Sequence, residues 1–387
     1  MTDANGTTDA TTATDAPDAA ATDGAAAFLE RRLAAVRACD RVLSGAPLPT
    51  MREQLAALRA LDGLDERPDL YGDGPLRLLE ERVAALLGTE DAVFFPTGTM
   101  AQQVALRYGA ERSGSSAVAL HPLAHLERWE RQAYSQLTGL RGLWPTAEPR
   151  HFTAAELTDL GEPFGTMTVE LPLRDAGFLL PSWAELVELT DAARAAGARV
   201  HFDGARLWES TEHLGKGLDE IAALADSVYV SFYKTLGGLS GAALAGDGAL
   251  AGYARAWRHR HGGNVFQQWP AALAALDGLE RVLPRVPQHV RHAQVVAAAL
   301  AELPGARINP AAPHTHQFRL WLPHPAAALN EAALTLADQE RTWFVGGWQD
   351  GAPGLAMAEV TVGAAALGWS AAEVAEAGRR FLALLPA

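Results

Sequence analysis

Only two of the 32 basic side chains are lysines, Lys216 and Lys234; the other 30 are arginines. A guanidinium stays protonated and is no amine nucleophile near neutral pH, so amine chemistry falls to these two residues or the N-terminus. Lys234 lies in SVYVSFYKTLGGLSGAALAG, just past a β-rich run, and enters a turn holding Gly237, Gly238 and Gly241. Asp203, 31 positions earlier in HFDGARLWES, closes another such run. Open α/β sheets gather ligand contacts at the C-terminal ends of their strands, so both groups are expected at one sheet edge. An amine and a carboxylate there are the minimum set for pyridoxal phosphate (PLP) chemistry. The amine holds the cofactor as a Schiff base, and the carboxylate keeps the pyridine nitrogen protonated so that the ring accepts electrons. On residue types alone, such a pair is more often a surface ion pair. Lys216, in HLGKGLDE, has no strand ahead of it and is expected at the surface.

The elements that must position these residues follow from periodicity. PLRLLEERVAALLG puts Leu76, Leu79, Val83 and Leu86 on one helical face, with Gly88 as terminator. The run AVFF, the turn PTGT and a helix from about Thr99 come next, followed by β-rich runs at 116–120, 167–171, 198–202, 227–232 and 241–246. Ser182 and Glu185 have capping-box spacing, as do Ser370 and Glu373. The alternation predicts an α/β fold with a mostly parallel central sheet. From about Gly278 the pattern changes to a smaller α+β unit with strands at 316–322 and 356–362. The expected organisation is an acidic disordered tail (1–25), an N-terminal arm broken by prolines (26–70), a large cofactor-binding domain (71–277) and a small C-terminal domain (278–387).

HFDGARLWES and SFYKTLGG resemble the aspartate and lysine segments of threonine aldolases, PLP-dependent enzymes of fold type I. RPDLYGDGPLRLLEERVAALLGTEDAVFFPTGTMAQQVALR is similar to the same family's N-terminal region, and HLERWE, with His125 and Glu130, to a further element. Together these cover roughly residues 47 to 270 in the family's order. The resemblance implies a PLP-dependent transferase-like large domain in which Thr97, Gly98 and Thr99 hold the cofactor phosphate. It further implies that His125 stacks on the ring and serves as base or water-positioner, Asp203 pairs with the ring nitrogen and Lys234 carries the cofactor. Arg206 would reach the ring oxygen or the substrate carboxylate. The implied reaction is retro-aldol Cα–Cβ cleavage of a β-hydroxy-α-amino acid, with β-elimination, transfer of the glycine unit to another aldehyde, or cofactor binding without turnover as alternatives. A homodimer or homotetramer with shared sites is implied, Tyr71 serving a neighbouring subunit.

The pattern departs from the family in three places. Ahead of the Pro-Thr that ends RVLSGAPLPT, where the family has an Arg-Ser-Asp-Thr element, only Ser44 offers a comparable hydroxyl. GGNVFQQ carries Phe266 in place of an arginine, and AEVTVG carries Ala358 and Val362 in place of an arginine and a histidine. Losing a bidentate arginine removes a strong carboxylate contact, and Arg319 in HTHQFRLWLP is the candidate replacement. Glu359, if it faces inward, would repel a carboxylate. Trp129, Trp208, Trp269 and Trp348 are candidates for an aromatic pocket.

A net charge of −14 disfavours nucleic acid as the main partner, and no apolar run approaches the length of a membrane span. Cys39, the single cysteine, excludes an intrachain disulfide or a cysteine-rich zinc site. The first residues lack the basic and apolar parts of a secretory signal, so a cytoplasmic enzyme of a small-molecule amino acid is expected. The His259/His261 and His314/His316 pairs lack the partners a metal centre needs. Neither GxGxxG after the first strand nor GxxxxGK[ST] is present.

Overall fold

The computed structural model describes residues 19–386; of the expected tail, residues 1–18 lie outside the described residues. Seven strands form the central sheet: β1 (Asp91–Phe95), β2 (Ala117–Ala119), β3 (Arg141–Leu143), β4 (Thr166–Glu170), β5 (Arg199–Gly204), β6 (Ser227–Ser231) and β7 (Ala242–Gly246), in the spatial order β1-β7-β6-β5-β4-β2-β3. All neighbours are parallel except β7, which runs antiparallel to both β1 and β6. The parallel strands β4 and β6 are buried throughout, as a sheet covered on both faces requires.

Sequence signals for the covering helices are met in detail. The helix Pro75–Leu87 buries Leu76, Leu79 and Val83 and ends at Gly88, whose φ of 62° is the left-handed cap that glycine accepts most readily; Leu87, rather than Leu86, completes its buried face. Ser182 and Ser370 both form reciprocal capping boxes. The helix after the PTGT turn begins at Gly98 and runs to Ser113. The short edge strand β3 is one that the sequence reading omitted.

A second core lies under a four-stranded antiparallel sheet, β8 (Arg307–Asn309), β9 (Gln317–Leu322), β10 (Gln349–Asp350) and β11 (Ala356–Thr361), ordered β10-β11-β9-β8. On β9 and β11 buried and half-buried residues alternate, the pattern of a sheet packed on one face. The N-terminal segment joins this unit. The helix Ala19–Ala38 takes in the end of the expected tail, Arg41–Val42 pairs with Thr342–Trp343, and Val36, Val42 and Leu43 belong to the same apolar cluster as Val345 and Phe381. The two units meet along the C-terminal edge of the central sheet.

Candidate active site

Asp203 is the penultimate residue of β5, in register with Glu170 on β4 and Tyr229 on β6. It is only 1% exposed. Its Oδ1 accepts the Ala205 N–H at 3.2 Å, while Oδ2 is buried without a partner among the described residues. An unpaired buried carboxylate oxygen is costly, so this atom suits a donor arriving from the open end of the sheet. Lys234 follows β6 along the same edge. Burial, and after it the Arg206 charge, lowers its pKa, against the opposing pull of Asp203 and Glu170. That shift favours the free amine a nucleophile needs. Arg206, just past β5, sets its guanidinium 5.5 Å from the Phe178 ring centroid.

His125 opens the short helix His125–Arg128. Burial holds its imidazole below the ordinary pKa, Asp203 pulls it up, and Lys234, Arg206 and Arg174 push it down. Its backbone N–H donates to Glu170 Oε2 at 2.7 Å, and the other oxygen, Oε1, accepts the Arg174 N–H at 3.2 Å. Glu170 thus fixes two loops at once. Burial and the neighbouring Asp203 charge raise its carboxyl well above the usual range.

The N-terminus of the helix Gly98–Ser113 faces the same region. Thr97 caps it, its Oγ1 accepting the Met100 N–H at 3.3 Å; the first-turn N–H groups have no intrahelical acceptors, and the helix dipole favours an anion there. Gly98 is dictated by contact: a Cβ would stand 2.8 Å from Tyr229 Cζ and closer to its Oη. Glu130 lies beneath this turn, accepting from Gln103 Nε2 at 3.2 Å. Burial and repulsion from Asp203 push its carboxyl up to about 7.

Arg319 lies on β9 directly across from Glu359 on β11. It is not a solvated strand residue: it lines an interdomain cleft of about 590 Å³ together with Arg174, Glu359 and Trp129. Ala358 and Val362, the positions read as the missing arginine and histidine, are fully buried in the small-domain core. Glu359 does face the cleft, but its charge is met by Arg174 Nη2 at 2.9 Å and Arg319 Nη2 at 3.7 Å. Ser44 is buried beside the cleft-lining Thr361, whose N–H it accepts at 3.1 Å.

Other sequence candidates do different work. Tyr71 has no contact with His125, Asp203 or Lys234 among the hydrogen bonds and ring contacts of the described residues; it packs edge-on against Phe266 at 5.3 Å and is 56% exposed. Trp208 and Trp348 are buried, bonding to the Ser231 and Val345 carbonyls. Trp129 alone of the four tryptophans lines the cleft, so the expected aromatic pocket is not formed. His314 accepts the Leu180 N–H and stacks on His213, and His316 lies 3.3 Å from Glu209. Lys216 pairs with Glu220 at 2.8 Å. Glu170, Arg174 and Asp175 were missed by sequence reading, although Glu170 ends a recognised strand and the rule that found Asp203 applies to it.

The family model for beta-eliminating lyases matches residues 43–320. The chain belongs to the beta-eliminating lyase family. A low-specificity L-threonine aldolase of Arabidopsis thaliana is 28% identical over 70% of this chain and 77% of its own length. A solved structure of a candidate L-allo-threonine aldolase from Listeria monocytogenes superposes with a TM-score of 0.86 at 31% identity, covering 92% of this chain and all of that one. One from Exiguobacterium, described as an aromatic amino acid beta-eliminating lyase/threonine aldolase, gives 0.86 at 32% over the same shares.

The residues of this beta-eliminating lyase fit PLP. The orphaned Asp203 Oδ2 meets the need of a pyridinium N–H, and the Thr97–Thr99 turn offers free N–H groups to a phosphate. Lys234 would supply the amine, and among the described residues it is the one lysine of the two with no carboxylate in salt-bridge distance.

Proposed function

We propose that this chain is a PLP-dependent aldehyde-lyase that cleaves the Cα–Cβ bond of a β-hydroxy-α-amino acid, releasing glycine and an aldehyde. The observation that carries this reading is the unpartnered Asp203 Oδ2, set on the sheet edge that also bears Lys234 and His125. PLP, when bound, supplies an electron sink for the pair left on Cα. Asp203 keeps the ring nitrogen protonated, Lys234 holds the cofactor, and Thr97, Gly98 and Thr99 hold its phosphate. Arg206 and Arg319 orient the substrate carboxylate, with Ser44 at the edge of the same cleft, which sets the bond to be broken. His125, kept neutral by burial, takes the β-hydroxyl proton directly or through a water. The carbonyl forms as Cα–Cβ breaks, and Cα then takes up a proton.

The exposed Tyr71 and Phe266 belong, in this reading, at a subunit interface of a homodimer or homotetramer, Tyr71 reaching the neighbouring site. A cytoplasmic setting agrees with the single half-buried thiol of Cys39; no described helix is long and apolar enough to cross a membrane. The test is an assay of threonine, phenylserine and serine with PLP-loaded protein. Glycine and aldehyde, both lost in Lys234→Ala, are expected. Bound PLP without aldehyde from any β-hydroxy-α-amino acid overturns the reading, and ammonia with a keto acid replaces it by β-elimination.

A further inference from the structure

On a protein of net charge −14, four arginines from four separate elements converge on the interdomain cleft. Arg32 comes from the N-terminal helix, Arg128 from the helix that begins at His125, Arg174 from the turn after β4 and Arg319 from β9. Among the described residues only two carboxylates line the cleft with them, Asp175 and Glu359, leaving a formal charge of +2.

Both acids are already committed. Glu359 bonds Arg174 and faces Arg319. Asp175 accepts Trp129 Nε1 at 3.0 Å and lies 3.6, 3.7 and 3.9 Å from Arg128, Arg174 and Arg319. The guanidiniums are not saturated in return: Nε of Arg174 and Nε of Arg319 are buried with no hydrogen-bond partner among the described residues. Arg32 is fitted closely into the wall, since a Cβ on Gly347 (φ 78°) would stand 2.7 Å from its Nη1. Glu170, in register with Asp203, accepts the backbone N–H groups of both His125 and the cleft-lining Arg174, so the cleft adjoins the reacting groups.

A substrate bearing only an α-carboxylate cancels one of the two surplus charges; a second carboxylate on the β-carbon side cancels the other. We propose that the cleft selects β-hydroxy-α-amino acids whose side chain ends in a carboxylate, with Arg128 and Arg32 receiving that group and Arg319 and Arg206 the α-carboxylate. This rests on the retro-aldol reading and adds a substrate class to it. For the simplest member, 3-hydroxyaspartate, the β-hydroxyl loses its proton and becomes the carbonyl of a two-carbon 2-oxo acid. The Cα–Cβ bond breaks, its electron pair stays on the glycine unit, and Cα is protonated. No oxidant or co-reactant is required.

The experiment compares 3-hydroxyaspartate with threonine on the PLP-loaded enzyme, using calorimetric binding and glycine release. A binding preference of at least tenfold for 3-hydroxyaspartate is expected, as one additional charge-assisted carboxylate contact supplies. Arg128→Gln and Arg32→Gln should each bring the ratio toward one, with circular dichroism confirming that the variants fold. A wild-type ratio at or below one overturns the proposal, as does a high ratio that neither variant lowers. A high, variant-sensitive binding ratio without glycine from either substrate supports the anion site and overturns the retro-aldol reading alone, so the two failures are distinguishable.

Discussion

Replacing Gly98 by alanine should weaken PLP binding through a single steric contact. An added Cβ would come to 2.8 Å from Tyr229 Cζ and nearer to the hydroxyl oxygen, inside the 3.5–4.0 Å of ordinary carbon contacts. Tyr229 is buried in the middle of β6, paired with Asp203 on one side and Leu244 on the other, so it cannot withdraw cheaply. Overpacking of this kind costs about 1–3 kcal/mol. The strain is relieved by displacing the helix start, which moves the N–H groups assigned to the phosphate. If that cost appears in cofactor affinity, the Kd for PLP rises about 5- to 150-fold. Equilibrium dialysis of the purified protein against PLP measures it. Removing the hydroxyl in a Gly98→Ala/Tyr229→Phe double variant takes away the closest contact but leaves the ring carbon, and should recover part of the loss, with Tyr229→Phe as control. Unaltered affinity in Gly98→Ala, or a double variant no better than the single, would show that this contact does not position the phosphate-binding turn.

Glu170→Gln keeps the shape but turns one of two acceptor oxygens into a donor facing a backbone N–H; a loss of about 1–3 kcal/mol in urea unfolding is expected, and a smaller one shows that the two loops hold themselves. Asp203→Asn replaces a charged partner of the ring nitrogen by a neutral amide. PLP affinity or kcat should fall about 10- to 150-fold, the worth of a charged hydrogen bond, and titration with steady-state assays would expose a silent substitution. His201 is held neutral by burial, its pKa down at about 4, whereas an unfolded histidine protonates near 6.5. The unfolded chain therefore binds more protons between about pH 6.5 and 4, and the stability due to neutral His201 is lost as pH falls through that window, on the order of 3 kcal/mol in all. Urea midpoints should show the gap between wild type and His201→Gln closing over that range; a constant gap contradicts the shift.

Local signals carried most of the fold into the sequence. Strand ends, capping boxes and the glycine caps depend on a few adjacent residues, and so Asp203, Lys234, Gly98 and the helix Pro75–Leu87 were legible. The substrate side was less so, because it depends on pairing between distant segments. In AEVTVG the choice between Ala358 and Glu359 as the cleft-facing residue is set by the register of β11 on β9, and one step of register exchanges the two faces. Ala358 faces the core, so the lost family arginine has no side-chain counterpart there, and Arg319 opposite Glu359 occupies the cleft instead. Arg174 and Asp175 sit in a turn without periodic signal. Their meaning comes from Glu170, Trp129 and Glu359, which are far apart in sequence. The tryptophans read as a pocket were mostly core, which the bulk of an indole makes the common outcome.

We propose that Lys234, and not the only other lysine, holds PLP. Borohydride reduction of the PLP-loaded protein followed by peptide mass mapping tests it directly. The reduced cofactor is expected on the peptide containing Lys234, with none bound in Lys234→Ala. Label on Lys216, or on neither lysine, would contradict it.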